Sequence, residues 1–401
     1  MKTVKILIIL GFVLMTSGCW NYRELNDMAL VQAVGIDKEA DGYQISVQIV
    51  NVKKQAKESN TEMESPVVVY EGKGKTLSEA LNKIELQIPK ELYIGHIKTV
   101  VVGEETAKLG IRDYLDFLLR DREVRKIYPF FIAKGSKAVD VLKVLTPIET
   151  LPSVNLVEMI NTSQKTNGEV TNRAFDNVLM CLYTRGRHPG VPAVEIVGAV
   201  EEGEKLENIS DSTPNARLSL TGPAVFKEDR LVGYLEDKEG LGYNIMRNMV
   251  NSSIITFPCD DAGNYGSVKM DKPKISTNTK IENGKPLGEV KLETTATIIE
   301  YNCKLNIKEP DNIKKIEKMV NREVKSILES AIITTQKKFG SDIIGFGENL
   351  YRNDYKNWLK FEDNWDETFS TMPYKIEVKT TINNTGDITI PAKEGGTSEK
   401  Y

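Results

Sequence analysis

The chain has 401 residues, with 53 Lys and Arg against 57 Asp and Glu, and a formal net charge of −4. This mildly acidic balance argues against a nucleic-acid partner and against polybasic adhesion to anionic lipid. With 40% hydrophobic residues over this length, two or three domains with separate cores are expected.

In chain order, Lys2 and Lys5 come first, then the apolar run "ILIILGFVLM", and then Thr16, Ser17, Gly18 and Cys19. A positive start, an apolar run and a small-residue site are the parts of a secretory signal, here residues 1–18. The apolar run is shorter than the roughly 20 residues of a spanning helix, so it is expected to target the chain rather than cross the bilayer. Small residues immediately before a cysteine resemble the lipobox of bacterial lipoproteins, whose thiol takes a diacylglycerol and becomes the new N-terminus. Cys19 is therefore the expected lipid-attachment residue, and two acyl chains would anchor it stably.

An N-terminal α/β domain is expected over residues 19–150. "MALVQAVGID" and "YQISVQIVNV" read as strands about the turn "KEADG", with Tyr43, Ile45, Val47 and Ile49 alternating with polar residues. After the strand "VVVYEG", Leu77, Ala80, Leu81, Ile84 and Ile88 share one helical face, and Thr76 with Glu79 has capping-box spacing. The strand "HIKTVVVG", one helix over "EETAKLGIRDYLDFLLRD", the strand "IYPFFIAKG" and the helix "SKAVDVLKVL" follow. Such alternation predicts a mixed sheet covered by helices.

A middle α+β domain is expected over 151–250, with two helical segments, three strands and a loop at "KLENISDSTPNA". A C-terminal α+β domain is expected over 251–391. It is strand-rich to residue 306 and then holds a long amphipathic helix from Asp311, with Ile313, Ile316, Val320, Val324, Ile327, Leu328 and Ala331 on one face. Phe346, Tyr351, Tyr355, Trp358, Phe361, Trp365 and Phe369 are expected to pack a long loop onto this domain, with a partner-binding surface as the alternative. The strand "YKIEVKTTI" ends it, and residues 392–401 form a small, charged tail expected to be disordered. The fold class is thus α+β, three domains of mixed or antiparallel sheets flanked by helices.

Catalytic and metal chemistry find few residues. There are two histidines: His96, expected to bond structurally at the start of a strand, and His188, expected to be a solvated turn residue in "RGRHPGVP". GxSxG and HExxH do not occur. "GKT" at 74–76 lacks the earlier glycine of a phosphate loop, since position 69 is Val69. "DDAGNYG", with Asp260 and Asp261, reads as a turn rather than a calcium loop. Beyond Cys19, the cysteines Cys181, Cys259 and Cys303 have neither zinc spacing nor a disulfide framework. One bridge, Cys259 to Cys303, is open to a chain outside the cytoplasm, and unpaired buried cysteines are the favoured reading. No cofactor or metal is expected.

The start "CWNYRELNDMALVQAVGID", the stretch "GKTLSEALNKIELQIPKELYIGHIKTVVVGEETAKLGIRDYLDFLLRDREVR", the hairpin "GPAVFKEDRLVGYL" and the late "DIIGFGE" together resemble the Ger(x)C family, the lipoprotein C subunits of spore germinant receptors. The resemblance implies a non-enzymatic lipoprotein of three sheet-and-helix domains on the outer face of the spore inner membrane, beside integral-membrane A- and B-type subunits. Cys19 matches the lipidated cysteine. Trp20, Arg23, Glu24, Gly35 and Asp37 match the N-terminal signature, and of these Trp20, Arg23 and Glu24 are candidate partner or membrane-interface contacts. Gly35 and Asp37 are expected at a turn after a strand. Alternatives are a lipoprotein module that binds a small nutrient itself and, third, an anchored hydrolase.

Overall fold

The structure, a computed structural model, describes residues 27–51, 64–120, 127–259 and 263–384. The signal segment, Cys19, Trp20, Arg23, Glu24, Asp260, Asp261 and the C-terminal tail lie outside the described residues.

The first half opens with an antiparallel meander, β1 (Met28–Glu39), β2 (Gly42–Val50) and β3 (Val67–Gly74). Helix α1 (Leu77–Glu85) follows, and Thr76 caps it by accepting from the Glu79 N–H at 3.1 Å, as the spacing predicts. β4 (Glu91–Tyr93) and β5 (Thr99–Gly103) both lie parallel to β1. The single helix expected next is two, α2 (Glu104–Leu109) and α3 (Arg112–Arg120), because Gly110 at φ 128° turns the chain between them.

β6 (Phe130–Lys134) is followed by the helices α4 (Ala138–Lys143), α5 (Pro152–Thr166) and α6 (Phe175–Tyr183), and the chain then enters β7 (Gly190–Gly198). The expected loop before β8 (Ala216–Lys227) contains two short helices, α7 (Val200–Gly203) and α8 (Glu207–Ser210). It is pinned by buried Asn208, which donates to Leu145 O and Ala216 O at 2.9 Å. β9 (Arg230–Tyr234) and α9 (Asp237–Met246) complete this half.

These strands form one mixed sheet of nine, in the order β3-β2-β1-β5-β6-β7-β8-β9 with β4 on β1. β1, β5, β6 and β7 run parallel, and helices connect β5 to β6 and β6 to β7. Val100, Val102, Phe130 and Ile132 point into the core under α1, α3 and α6, while Val101, Phe131 and Ala133 point into the one under α4 and α5. Burial on both faces is what parallel crossovers impose. The strands of the expected middle unit extend this sheet: Ile132, Ala133 and Lys134 of β6 pair with Ala193, Val194 and Glu195 of β7.

The second sheet has the order β10-β11-β12-β13, from β10 (Ser252–Pro258), the long hairpin β11 (Tyr265–Glu282) and β12 (Lys285–Tyr301), and β13 (Tyr374–Asn384). Helix α10 (Pro310–Ile333) crosses one face and buries Ile316, Val320, Val324, Ile327, Leu328 and Ala331, the face its periodicity marks. Asn321 and Glu317 of α10 accept from the Thr380 and Ile382 N–H groups at 2.8 and 2.9 Å, so side chains of the helix take up donors of edge strand β13. Cys259 and Cys303 are joined, their Cα atoms 5.5 Å apart, which corrects the unpaired reading; β10 and β12 bring together residues 44 apart in sequence. The expected aromatic loop consists instead of short helices, α11 (Phe346–Asn353), α12 (Tyr355–Trp358) and α13 (Trp365–Thr371). Phe346, Trp358, Trp365 and Phe369 are buried, and Trp358 packs between Tyr351, which meets it edge-on, and the tilted ring of Trp365, with ring centres 6.0 and 5.4 Å away.

Candidate functional site: the junction between the sheets

Two sequence signatures become structural sites. Gly35 and Asp37 lie inside β1 rather than at a turn. Asp37 is buried and accepts from the Ala138 and Val139 N–H groups at 2.9 and 3.1 Å, so it caps α4 from a neighbouring strand. Burial raises its carboxyl above the usual aspartate range, against the pull of these two bonds. Gly35 lets the helix end approach, since a Cβ there would lie 3.2 Å from Ala138 Cβ and 2.3 Å from Ser46 Oγ. The α4 N-terminus, a place where an anion could sit, is thus occupied by the chain's own carboxylate.

The "DIIGFGE" stretch, 342–348, docks onto the first sheet. Asp342 is fully buried and accepts from Gly345 N and Gly347 N at 2.7 Å, Phe346 N at 3.3 Å and Trp365 Nε1 at 3.1 Å. Desolvation raises its pKa, and the four donors oppose this. This carboxylate folds the turn so that its outward groups meet the other half. Glu348 N–H donates to Gly186 O at 2.8 Å, His188 N–H to Asp342 O at 2.9 Å, and Ser341 Oγ to Phe226 O at 2.5 Å. Neither glycine tolerates a side chain: a Cβ on Gly347 would lie 2.6 Å from Gly186 O, and one on Gly186 2.5 Å from Gly347 C.

Charges complete the tie. Arg187 Nε lies 2.6 Å from Glu348 Oε2, both side chains nearly closed to solvent, although the N–H does not point along that line. Arg247 sits 4.0 Å from the same carboxylate and donates to Ile344 O at 2.9 Å. Burial and the neighbouring Arg187 lower its pKa. None of these partners is adjacent in sequence, and no local signal marks them.

Beside this seam a cleft of about 820 Å³ opens between the sheets, lined by Arg112, Cys181, His188, Lys227, Glu362 and Asp366 among others. His188 is half-buried rather than a solvated turn residue. Its Nδ1 accepts from Glu228 N–H at 3.0 Å, and its Nε2 lies 3.0 Å from Asp366 Oδ1. Since Nδ1 accepts, the ring proton is on Nε2 and donates to Asp366. Burial pushes the Asp366 carboxyl up, but His188 and Lys227, the latter at 3.2 Å, more than offset it, so it titrates below the usual range. Both ring nitrogens are thereby engaged, and neither is left to activate Cys181 as a nucleophile. The other histidine, His96, is exposed in the turn before β5, its ring 5.2 Å from that of Tyr93.

The family described as "Spore germination protein N-terminal domain" matches residues 21–196, and that described as "Spore germination B3/ GerAC like, C-terminal" matches residues 221–386. Spore germination protein KC of Bacillus subtilis (strain 168) is 31% identical over 395 residues, covering 96% of each chain. Spore germination protein B3 of the same organism is 21% identical, covering 97% of this chain and 100% of its own. The crystal structure of the GerBC protein superposes with a TM-score of 0.56 at 18% identity, over 88% of this chain and 97% of that one, and so shares the fold.

Proposed function

The chain belongs to the Ger(x)C family of spore germination proteins, and from that premise we propose that it is the lipid-anchored, non-enzymatic C-type subunit of a nutrient germinant receptor. In this reading Cys19 carries the diacylglycerol on the outer face of the spore inner membrane, and the folded body acts through contacts with integral-membrane A- and B-type subunits. Among the described residues no helix is long and apolar enough to cross a membrane. The observation that carries the non-enzymatic part is the state of His188, whose two nitrogens are spent on Glu228 and Asp366.

The test is Cys19→Ala in the full chain. The variant is expected to leave the membrane fraction and to lose nutrient-triggered germination while its body stays folded. Retention in the membrane pellet after a carbonate wash, with normal germination, overturns the anchor.

A second reading, direct capture of a small nutrient, is favoured by the cleft of about 820 Å³. Calorimetric titration of the body with amino acids and sugars separates the two: heat that saturates and vanishes in an Arg185→Ala variant supports capture.

A further inference from the structure

Three arginines that are remote in sequence meet at the seam between the sheets. Arg173 stands before α6, Arg187 before β7 and Arg247 at the end of α9. Arg173 and Arg187 are 9% and 8% exposed, and the Arg247 side chain is 22% exposed. Arg173 Nη2 donates to Tyr243 Oη at 3.1 Å. A Cβ on Gly190, three positions after Arg187, would lie 2.4 Å from that hydroxyl, so Tyr243 brings Arg173 to the start of β7. A Cβ on Gly345 would lie 3.0 Å from both Arg187 Cδ and Arg247 Nη1, so these two side chains converge over one glycine.

Negative charge falls short here. Glu348 is the carboxylate beside Arg187 and Arg247, and it also takes the exposed Arg352 at 2.6 Å. Asp342 is spent on the N–H groups of Gly345, Phe346, Gly347 and Trp365, none of them an arginine. Arg173 has no carboxylate partner among the described residues. The Nε atoms of Arg173, Arg187 and Arg247 are all buried, and none makes a hydrogen bond. Burial, and then the like charges of Arg187 and Arg173, lower the Arg247 pKa. Buried donors without acceptors, gathered around excess positive charge, are the signature of a place that an anion completes.

We infer that Arg173, Arg187, Arg247 and Tyr243 form a binding site for a small inorganic oxyanion of the phosphate or sulfate class. Three guanidiniums against the one carboxylate of Glu348 leave an excess that a dianion cancels. Its oxygens supply the acceptors that the Nε–H groups lack, and guanidinium forks match a tetrahedral oxyanion well. Tyr243 accepts from Arg173 and so keeps its own O–H to donate. Arg187 also lines the cleft of about 820 Å³, which gives the anion its route from solvent. Because Arg247 is bonded to Ile344 O and Arg187 lies against Glu348, an anion held here tightens the contact between the two sheets.

The experiment uses the full-length chain in detergent, freed of phosphate and then dialysed against radiolabelled inorganic phosphate at fixed ionic strength, with thermal unfolding measured alongside. Uptake is expected to saturate near one phosphate per chain, to be displaced by sulfate, and to raise the unfolding midpoint. Arg173→Met should weaken uptake on the order of tenfold and flatten the response of the midpoint, because a charged donor is gone. Arg217→Met, at an exposed position on β8, should keep both. Arg247→Met, with the same expectation as Arg173→Met, covers the case in which the latter fails to fold. Absence of saturable uptake, uptake equal in wild type and these two variants, or a midpoint that follows ionic strength whichever salt supplies it overturns the inference.

Discussion

Arg187 and Glu348 pair at 2.6 Å across the seam between the two sheets, with only 7% and 9% of their side chains exposed. Glu348 also lies 4.0 Å from the half-buried Arg247, so among the described residues one carboxylate serves both guanidiniums. Glu348→Leu is expected to cost about 3–5 kcal/mol, because it leaves buried charge without a partner. Arg352→Ala, whose side chain is 58% exposed, should cost under about 1 kcal/mol although its distance to Glu348 is also 2.6 Å. Urea unfolding of the two variants measures this difference; equal losses would mean that the seam is not the source.

Asp342 and Asp366 predict pH effects of opposite sign. The folded pKa of Asp366 lies below the 3.8 of an unperturbed aspartate, so its contribution is complete above 3.8 and is lost as pH falls through the lower folded value. That of Asp342 lies above 3.8, so the native state keeps its proton longer than the unfolded chain, and stability declines as pH rises from 3.8 through the raised value. Asp366→Asn should flatten the acid-side loss. Asp342→Asn should remove the decline on the upper side. It should also cost about 1–3 kcal/mol throughout, since an amide NH₂ would face donors of Gly347 or Trp365. Unfolding midpoints collected across both pH windows decide it, and parallel profiles for wild type and both variants would refute the assignment.

His188→Gln can keep a donor toward Asp366 and an acceptor toward Glu228 N–H. Germination per molecule is expected to be unchanged in this variant, whereas His188→Ala should lose about 0.5–1.5 kcal/mol by removing the bond to the part-buried Asp366. Protein level and germination rate are read together. A His188→Gln chain that is abundant, stable and inactive would require a catalytic or ligand-binding histidine.

Replacing both Cys259 and Cys303 by serine opens a link between residues 44 apart and should lower stability by about 2–4 kcal/mol. The body should still fold, because Ile316, Val320, Val324 and their sheet partners bury a large core without it. Melting curves with and without reductant test this in the wild type. Loss of all cooperative unfolding in the serine variant would mean that the bridge is obligatory.

What the sequence determined by itself was whatever depends on neighbours within a few turns of chain. The face of α10 and the Thr76 cap are of this kind, because helix periods and caps are local geometry. The alternation in β2 marks a strand but not its burial, since Gln44, Ser46 and Gln48 are buried along with Ile45, Val47 and Ile49. The tertiary structure decided what the local pattern leaves open. Asp37 reads as a turn residue until α4, 101 residues away, arrives over β1 to be capped. His188 reads as solvated until Asp366, 178 residues away, closes over it. Cys259 and Cys303 carry no pairing signal in their spacing, and only the β10–β11–β12 register brings them together. The middle strands look like a separate unit because their connections are local, yet β7 pairs with β6 across the intervening helices α4, α5 and α6. In each case the deciding energy is burial, which turns a polar side chain that water would satisfy anywhere into one that must find a particular partner, and burial is a property of the assembled fold.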